Sequence, residues 1–476
     1  MQTALAIITI FGYVLTLTLL PVVLLTKKKQ PVSTVAWMMT IITMPYVGAF
    51  LFVVFGINQV ERRLRRKQAA TRSVTRILPQ LSHQHHVHHE LLDETQRELR
   101  RLAERISGSR ATVGNRVQLL TNAQQAFDEI AEAILAAEST IHLEYYIWRP
   151  DKLGTRLRDL LISKAQRGVR VRFLYDGIGS NLLTYRFLKP MRDAGIQVFS
   201  FVPGRSLRER WSINLRNHRK IVIVDGQIGF TGGMNVGDEY LGLDPFYGKW
   251  QDTHLRLEGP TVLQLQEVFA IDWKYATGEV LTHDRYFPTP EQTGNIVAQV
   301  VASGPDEGSD VFHNLMFAAI NSARHRVTLA TCYFVPTPSL VSALESASQR
   351  GVQTRVLISG PKTYWATLQA ARSNYDSLLL AGVKIYEYQA GQFHSKTLSI
   401  DGNWSLVGTP NFDSRSLYLN FEVGAVLYDR SLAEQIEHQF HTDLESAMEI
   451  EPDKWFARPV WNRLQENFCR MFSPVL

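Results

Sequence analysis

The sequence predicts an α/β protein. Two similar α/β halves should face each other across a pseudo-twofold cleft, preceded by an N-terminal two-helix transmembrane hairpin. Three observations carry this expectation. The chain opens with two long uncharged stretches, a strand–helix–strand pattern then reads twice, and one set of polar residues closes each reading at the same internal spacing. With 476 residues the chain is long enough for more than one domain. Hydrophobic residues at 45% and charged residues at 20% exclude a disordered or highly charged tail protein. Two cysteines, Cys332 and Cys469, exclude a disulfide framework and any Cys-rich zinc or iron–sulfur site. Lys+Arg 51 against Asp+Glu 45 leaves a formal +6. That excess suits an anionic partner, nucleic acid or acidic lipid, without choosing between them.

Residues 3–26 and 31–56 hold no charged side chain over 24 and 26 positions. About 20 apolar residues suffice to cross a bilayer core as a helix. A cleaved signal peptide fits less well, because Met1-Gln2-Thr3 carries no positive charge and a second stretch follows at once. Lys27, Lys28 and Lys29 form the turn, and Arg62, Arg63, Arg65, Arg66, Lys67, Arg72 and Arg76 follow the second stretch. The larger basic cluster stays in the cytoplasm, against the pull of the lysine triplet. The expected location is therefore the inner cell membrane, multi-pass, with the catalytic part cytoplasmic.

Residues 1–67 are read as this hairpin with its basic flank, and 68–112 as a helical connector. Residues 91–106 are charged and helix-prone, and Ser107-Gly108-Ser109 ends them. Five histidines fall within residues 83–89. They read as a polar juxtamembrane segment rather than a metal site, because a His tract alone sets no coordination geometry. At the far end Trp461, Leu464, Phe468, Met471 and Phe472 recur at near-helical spacing, flanked by Arg463 and Arg470. Residues 449–476 form an amphipathic tail that either lies on an anionic membrane or packs on the domain.

The repeat fills the rest. Residues 134–146 and 320–333 each run from a helix end into an apolar strand. Gln166-Arg-Gly-Val and Gln349-Arg-Gly-Val each end a helix on glycine and start a strand, and Ala194-Gly195-Ile196 matches Ala381-Gly382-Val383. The halves are placed at 113–290 and 291–448.

Each half closes on one constellation. The first is His218, Lys220, Asp225, Gly232 and Asn235, and the second is His394, Lys396, Asp401, Gly408 and Asn411. Side chains at i and i+2 share a strand face, so an imidazole and an ammonium converge on one phosphate. Asn235 and Asn411 are placed to donate to its oxygens. Two facing sets supply a nucleophile and a proton donor, with lysines to stabilise transition-state charge. Asp225 and Asp401 belong to the motif but are expected to fix the turn rather than touch substrate. This chemistry needs no metal, none of the common Mg²⁺ carboxylate patterns appears, and no cofactor is expected.

These paired HxKxxxxDxxxxxxGxxN motifs resemble the phospholipase D superfamily. The N-terminal hairpin, the run from Asn217 to Asp225, the run from Gly232 to Tyr240 and the run from Ser416 to Glu422 resemble bacterial cardiolipin synthases in particular. The resemblance covers nearly the whole chain. It implies two phospholipase D-like halves and a phosphatidyl transfer between two phosphatidylglycerols through a phosphohistidine. His218 is taken as nucleophile and His394 as general acid/base, and the symmetry allows the reverse. It also implies an acidic partner for each imidazole downstream of its motif: Glu422, 28 residues after His394, and Asp252 in the first half. A phospholipase D or another phosphatidyltransferase stands as the alternative, and a nuclease is disfavoured by the hairpin. The second motif reads Thr409-Pro410 where the first reads Gly233-Met234, which puts the equivalence of the halves in doubt.

The halves also differ in length before the motif. From Gly195 to His218 is 23 residues, and from Gly382 to His394 is 12. The extra residues coincide with Arg205, Arg208, Arg210, Trp211 and Arg216. This insert is expected at the cleft mouth, on anionic headgroups or on the membrane. The expected partners are phosphatidylglycerol, other anionic lipids and the bilayer, with no nucleic acid.

Overall fold

Strands and helices alternate along most of the chain because apolar runs of four to eight residues are punctuated by glycine and capped helix starts. The computed structural model describes residues 2–25, 31–53, 61–77, 91–201, 215–306 and 310–472. The His-rich segment 83–89 and Arg205, Arg208 and Arg210 of the basic insert lie outside the described residues. The chain divides into two units, one reaching Arg66 and one beginning at Lys67.

The first unit is helical: α1 (Gln2–Leu25), α2 (Pro31–Thr43) and α3 (Pro45–Leu51). Val23, Ile41 and Phe52 are buried together, with Leu19, Trp37 and Met38 against them. The described residues do not show the transmembrane hairpin expected here. Among them no helix is long and apolar enough to cross a membrane. The second uncharged stretch breaks at Met44. Pro45 has no N–H to bond back to the preceding turn and disfavours helical backbone at Met44, whose φ is −135°. The resulting helices of 13 and 7 residues fall short of a bilayer core.

The second unit is built on one mixed sheet. The first copy supplies β1 (Thr112–Leu120), β2 (Thr140–Tyr145), β3 (Arg170–Tyr175), β4 (Gln197–Ser200), β5 (Arg216–Asn217), β6 (Ile221–Val224), β7 (Ile228–Gly232), β8 (Lys249–Gln251) and β9 (His254–Glu258). The second supplies β10 (Ile296–Ser303), β11 (Arg326–Thr331), β12 (Phe334–Val335), β13 (Gln353–Ser359), β14 (Lys384–Tyr388), β15 (Gly391–Phe393), β16 (Thr397–Ile400), β17 (Trp404–Gly408), β18 (Phe412–Asp413), β19 (Asn420–Leu427) and β20 (Ala447–Glu449). From the centre outward the first copy runs β1-β9-β7-β6-β2-β3-β4, and the second runs β10-β19-β17-β16-β11-β13-β14. Each order is the image of the other. The copies do not stand as separate layers, because β1 and β10 pair antiparallel and fuse both into a single sheet.

Helices cover the sheet in the same repeated order, including Ala123–Ala136 and Val311–Ser322, then Lys152–Gln166 and Pro338–Gln349. Asn122, Asp151 and Thr337 cap three of them with side-chain oxygens. Two apolar cores result, one around Phe127, Phe173 and Phe230 and one around Phe312, Tyr375 and Trp404. Each such fully buried side chain contributes about 1.5–3 kcal/mol of transfer free energy. The connector helix spans Glu94–Ser107. Asp93 and Gln96 form its capping box, and Gly108 ends it at φ 72°.

The helix α4 (Glu61–Ile77) enters the second unit at Lys67. Lys67 is buried and ion-paired with Asp272, whose other oxygen takes Arg219. Arg219 also donates to the carbonyls of Ser303 (2.9 Å) and Glu422 (3.1 Å). Burial pushes the Asp272 carboxyl up, but Arg219 and Lys67 outweigh it and hold the group below its ordinary value. Breaking such a buried pair by removing one partner costs about 3–5 kcal/mol. The residue between His218 and Lys220 thus serves the framework, facing away from its two neighbours.

Candidate active site

In each half the motif begins at the end of a short strand. β5 pairs in parallel with β19, setting Asn217 opposite Phe421, and β15 pairs in parallel with β8, setting Phe393 opposite Gln251. The next residue on each strand is therefore the histidine, opposite a carboxylate. The His218 N–H donates to the carbonyl of Phe421 (2.9 Å), and the His394 N–H to that of Gln251 (2.7 Å). Nδ1 of His218 lies 2.9 Å from Oε2 of Glu422, and Nδ1 of His394 lies 2.6 Å from Oδ2 of Asp252.

The carboxylates are thus exchanged between the halves. Glu422 holds His218 and Asp252 holds His394, which corrects the expectation that each acid serves its own motif. The reason is the strand pairing. Both contacts follow from one register that joins a strand of one half to a strand of the other. With Nδ1–H given to a carboxylate, the neutral imidazole keeps its lone pair on Nε2.

Lys220 and Lys396 each donate to the carbonyl of the histidine two residues earlier, Lys220 at 2.7 Å. Burial pushes His218 down to about 4 and His394 to about 3, against the pull of the carboxylates. Burial also lowers Lys220 to about 7, with Lys396 adding repulsion. Burial raises Glu422 and Asp252, but their histidines and lysines outweigh it and leave both below the usual carboxylate range. Lys396 acts on His218 and Lys220 acts on His394, so the two sets share one electrostatic neighbourhood.

Asp225 and Asp401 stand apart from this centre, as expected of turn-fixing groups. Both have positive φ, 53° and 51°. Asp225 accepts from the N–H groups of Glu138, Ser139 and Thr140 (2.6–2.8 Å), and Asp401 from those of Arg324, His325 and Arg326 (2.8 Å each). Asn235 is also engaged: its Oδ1 accepts from the N–H of Ile147 (3.0 Å) and its amide donates to Tyr240 Oη. Asn411 is buried, and its Oδ1 has no hydrogen-bond partner among the described residues.

The two halves differ around their histidines. Thr409 donates to Glu422 Oε2, and Asn420 donates to Oε1 (3.0 Å). At the matching place stands Gly233, where a Cβ would sit 2.0 Å from Asp252 Oδ1. The glycine lets the shorter carboxylate approach the backbone. Tyr146 packs edge-on against His218 at 4.9 Å, and Arg216 hydrogen-bonds its hydroxyl, with Arg415 nearby. His394 instead meets Trp250 at 5.4 Å and Tyr240 at 5.8 Å. His218 thus meets one ring, itself bonded by Arg216, and His394 meets two. Tyr146, Tyr240, Trp250 and Arg415 were not singled out from the sequence. The available signal was proximity, since Trp250 and Arg415 flank the acidic residues and their motifs.

The family model described as "Cardiolipin synthase, PLD-like domain" matches residues 130–273 and 316–444. A curated cardiolipin synthase of Geobacillus sp. (strain WCH70) is 39% identical over 453 residues, 94% of this chain and 90% of that protein. This chain belongs to the cardiolipin synthase family. Cardiolipin synthase 2 of Bacillus anthracis, another member, is 39% identical over 459 residues, 95% of this chain and 89% of its own. Among solved structures, phosphatidylserine synthase of Haemophilus influenzae Rd KW20 has a TM-score of 0.60 at 13% identity, over 80% of this chain and 98% of that one. That is a likeness of fold. Within the cardiolipin synthase family frame, both halves of the motif fall inside the matched residues.

Proposed function

We propose that this chain is a cardiolipin synthase. It transfers the phosphatidyl group of one phosphatidylglycerol to a second, releasing glycerol, through a phosphohistidine. The observation that carries the reading is the pair of buried imidazoles, each held at Nδ1 by a carboxylate of the opposite half and each followed by a lysine. The curated relatives bear the same name over most of their length.

His218 Nε2 forms a bond to phosphorus as the bond to the leaving glycerol oxygen breaks, and His394 gives that oxygen its proton. The bound phosphodiester anion favours the imidazolium that this step needs. The glycerol hydroxyl of a second phosphatidylglycerol then returns a proton to His394. Its oxygen bonds to phosphorus as the N–P bond breaks, which frees cardiolipin and His218. Lys220 and Lys396 offset the charge that builds on the phosphoryl oxygens. Glu422 and Asp252 hold the imidazoles in the tautomer the steps require. Arg216, and with it Arg205, Arg208 and Arg210 of the insert, attract the anionic headgroups.

The same reading puts the enzyme at a cell membrane. The uncharged runs in residues 3–26 and 31–56 anchor it, and the basic run 62–67 keeps the catalytic unit on the cytoplasmic side. Exposed Ile10, Phe11, Leu17 and Met39 on α1 and α2 support a lipid environment for these helices.

Product analysis tests the proposal. Solubilised protein is incubated with labelled phosphatidylglycerol beside a His218→Ala control. The expected result is cardiolipin plus free glycerol, absent from the control. Phosphatidic acid alone would mean a hydrolase, and no His218-dependent product would mean a different donor.

A further inference from the structure

Residues 460–470 form a helix that is apolar on the wrong side for a packing element. Its inward positions are Glu466 and Cys469, both 3% exposed. Its outward positions are Trp461 (66% exposed), Leu464 (56%), Phe468 (60%) and, just beyond, Met471 (74%). A helix held only by the core would turn these side chains inward.

The orientation is fixed by specific contacts. Arg458 clasps Glu466 through two bonds, at 3.1 and 2.8 Å, and reaches Asp376 at 2.7 Å. Its guanidinium stacks on Trp455 at 3.9 Å, and Cys469 is buried against Val335 and Ala370. The helix it packs on, Trp365–Arg372, begins with two more outward aromatics, Tyr364 and Trp365. Lys362 in the turn before that helix, and Arg463 and Arg470 on helix Val460–Arg470, are exposed, while the acidic Glu466 is turned inward. Aromatic side chains ringed by exposed cations match the boundary of an anionic bilayer. The surface is also continuous with the site. Tyr364 hydrogen-bonds Tyr247, Tyr247 meets Trp250 at 5.2 Å, and Trp250 meets His394.

We propose that the outward face of helix Val460–Arg470, together with Tyr364 and Trp365, is a preformed seat for an anionic bilayer surface on the His394 side of the catalytic centre. The inference rests on the reading of a lipid substrate, which it deepens by naming the surface that faces the lipid.

The test uses the full chain reconstituted into phosphatidylglycerol vesicles. Both native cysteines are buried, so a Leu464→Cys variant takes a fluorophore selectively. Leu135→Cys, an exposed position on helix Ala123–Ala136, is the control. Brominated lipid should quench the probe at 464 and leave the one at 135 bright. A Trp461→Ser/Phe468→Ser variant should turn over vesicle lipid about tenfold more slowly. Its rate on monomeric short-chain phosphatidylglycerol should match that of the unsubstituted protein. An unquenched probe at 464, equal quenching at both positions, or equal loss on monomeric and vesicle substrate would each overturn the seat. Lipid-independent cross-linking at 464 would assign the face to a second copy and overturn it as well. Quenching needs no turnover. A protein that is quenched at 464 but makes no cardiolipin would keep the seat and sink the synthase reading.

Discussion

Lys220 is fully buried, and its ammonium donates to the carbonyl of His218 rather than to a carboxylate. Burial brings it to about 7. As pH rises through that value the free site loses a positive charge that an anionic phosphodiester needs. The second-order rate constant kcat/KM should therefore fall above about pH 7. The kcat profile should bend later, because bound phosphate favours the ammonium. Lys220→Arg keeps the charge and should abolish the alkaline limb of kcat/KM, at a lower plateau because the guanidinium fork differs in shape. A limb that persists in this variant would point to another group. The two carboxylates invite a second comparison. Gly233→Ala puts a methyl group on Asp252, so His394 loses its orientation, and kcat should drop about a hundredfold. Thr409→Val removes one of the donors to Glu422 but leaves Asn420, and about a tenfold loss is expected. Equal losses in the two variants would mean that the carboxylates are held alike.

At the scale of elements, the strand–turn–strand units were legible, because Ile221–Val224 is a short apolar run and Thr397–Ile400 alternates polar and apolar residues, each followed by Asp-Gly. Asp225 and Asp401 each accept from three main-chain N–H groups, which explains why an acid is wanted at these turns. Replacing either by alanine strands those N–H groups and puts a Cβ residue without a compensating bond at positive φ. A loss of about 2–4 kcal/mol is expected in denaturant unfolding, with KM little changed and Asp→Asn milder. What the sequence did not disclose was β5, β8 and β15. They have two or three residues each, too few for any periodicity, and their partners lie in the opposite half. The family resemblance placed Glu422 with His394, whereas register between distant strands gives it to His218. The uncharged stretches were equally plain, but Pro45 was the overlooked signal. It divides the second stretch into two helices.

At the scale of the whole molecule, four imidazoles among the described residues share one condition. His142 and His394 are held near 3, and His218 and His254 near 4, in each case chiefly by burial. In the unfolded chain they titrate near 6.5. Between about pH 6.5 and 4 the unfolded state therefore takes up protons that the folded state refuses. Stability should rise with pH across that window and fall on acidification. His254, whose ring nitrogens have no partner among the described residues, offers the cleanest check. His254→Leu should flatten the dependence of Tm on pH between 6.5 and 4, and an unchanged slope would remove this histidine from the account. The exchanged carboxylates have a further consequence. If the chain were cut between residues 279 and 295, each fragment would keep an imidazole and lose the acid that orients it. Neither piece could hold half of the rate, and mixing intact pieces of the two kinds would be the minimum for any turnover. A lesion in either strand pair is felt first by the histidine of the other half, so the duplicated sequence behaves as one indivisible reaction centre.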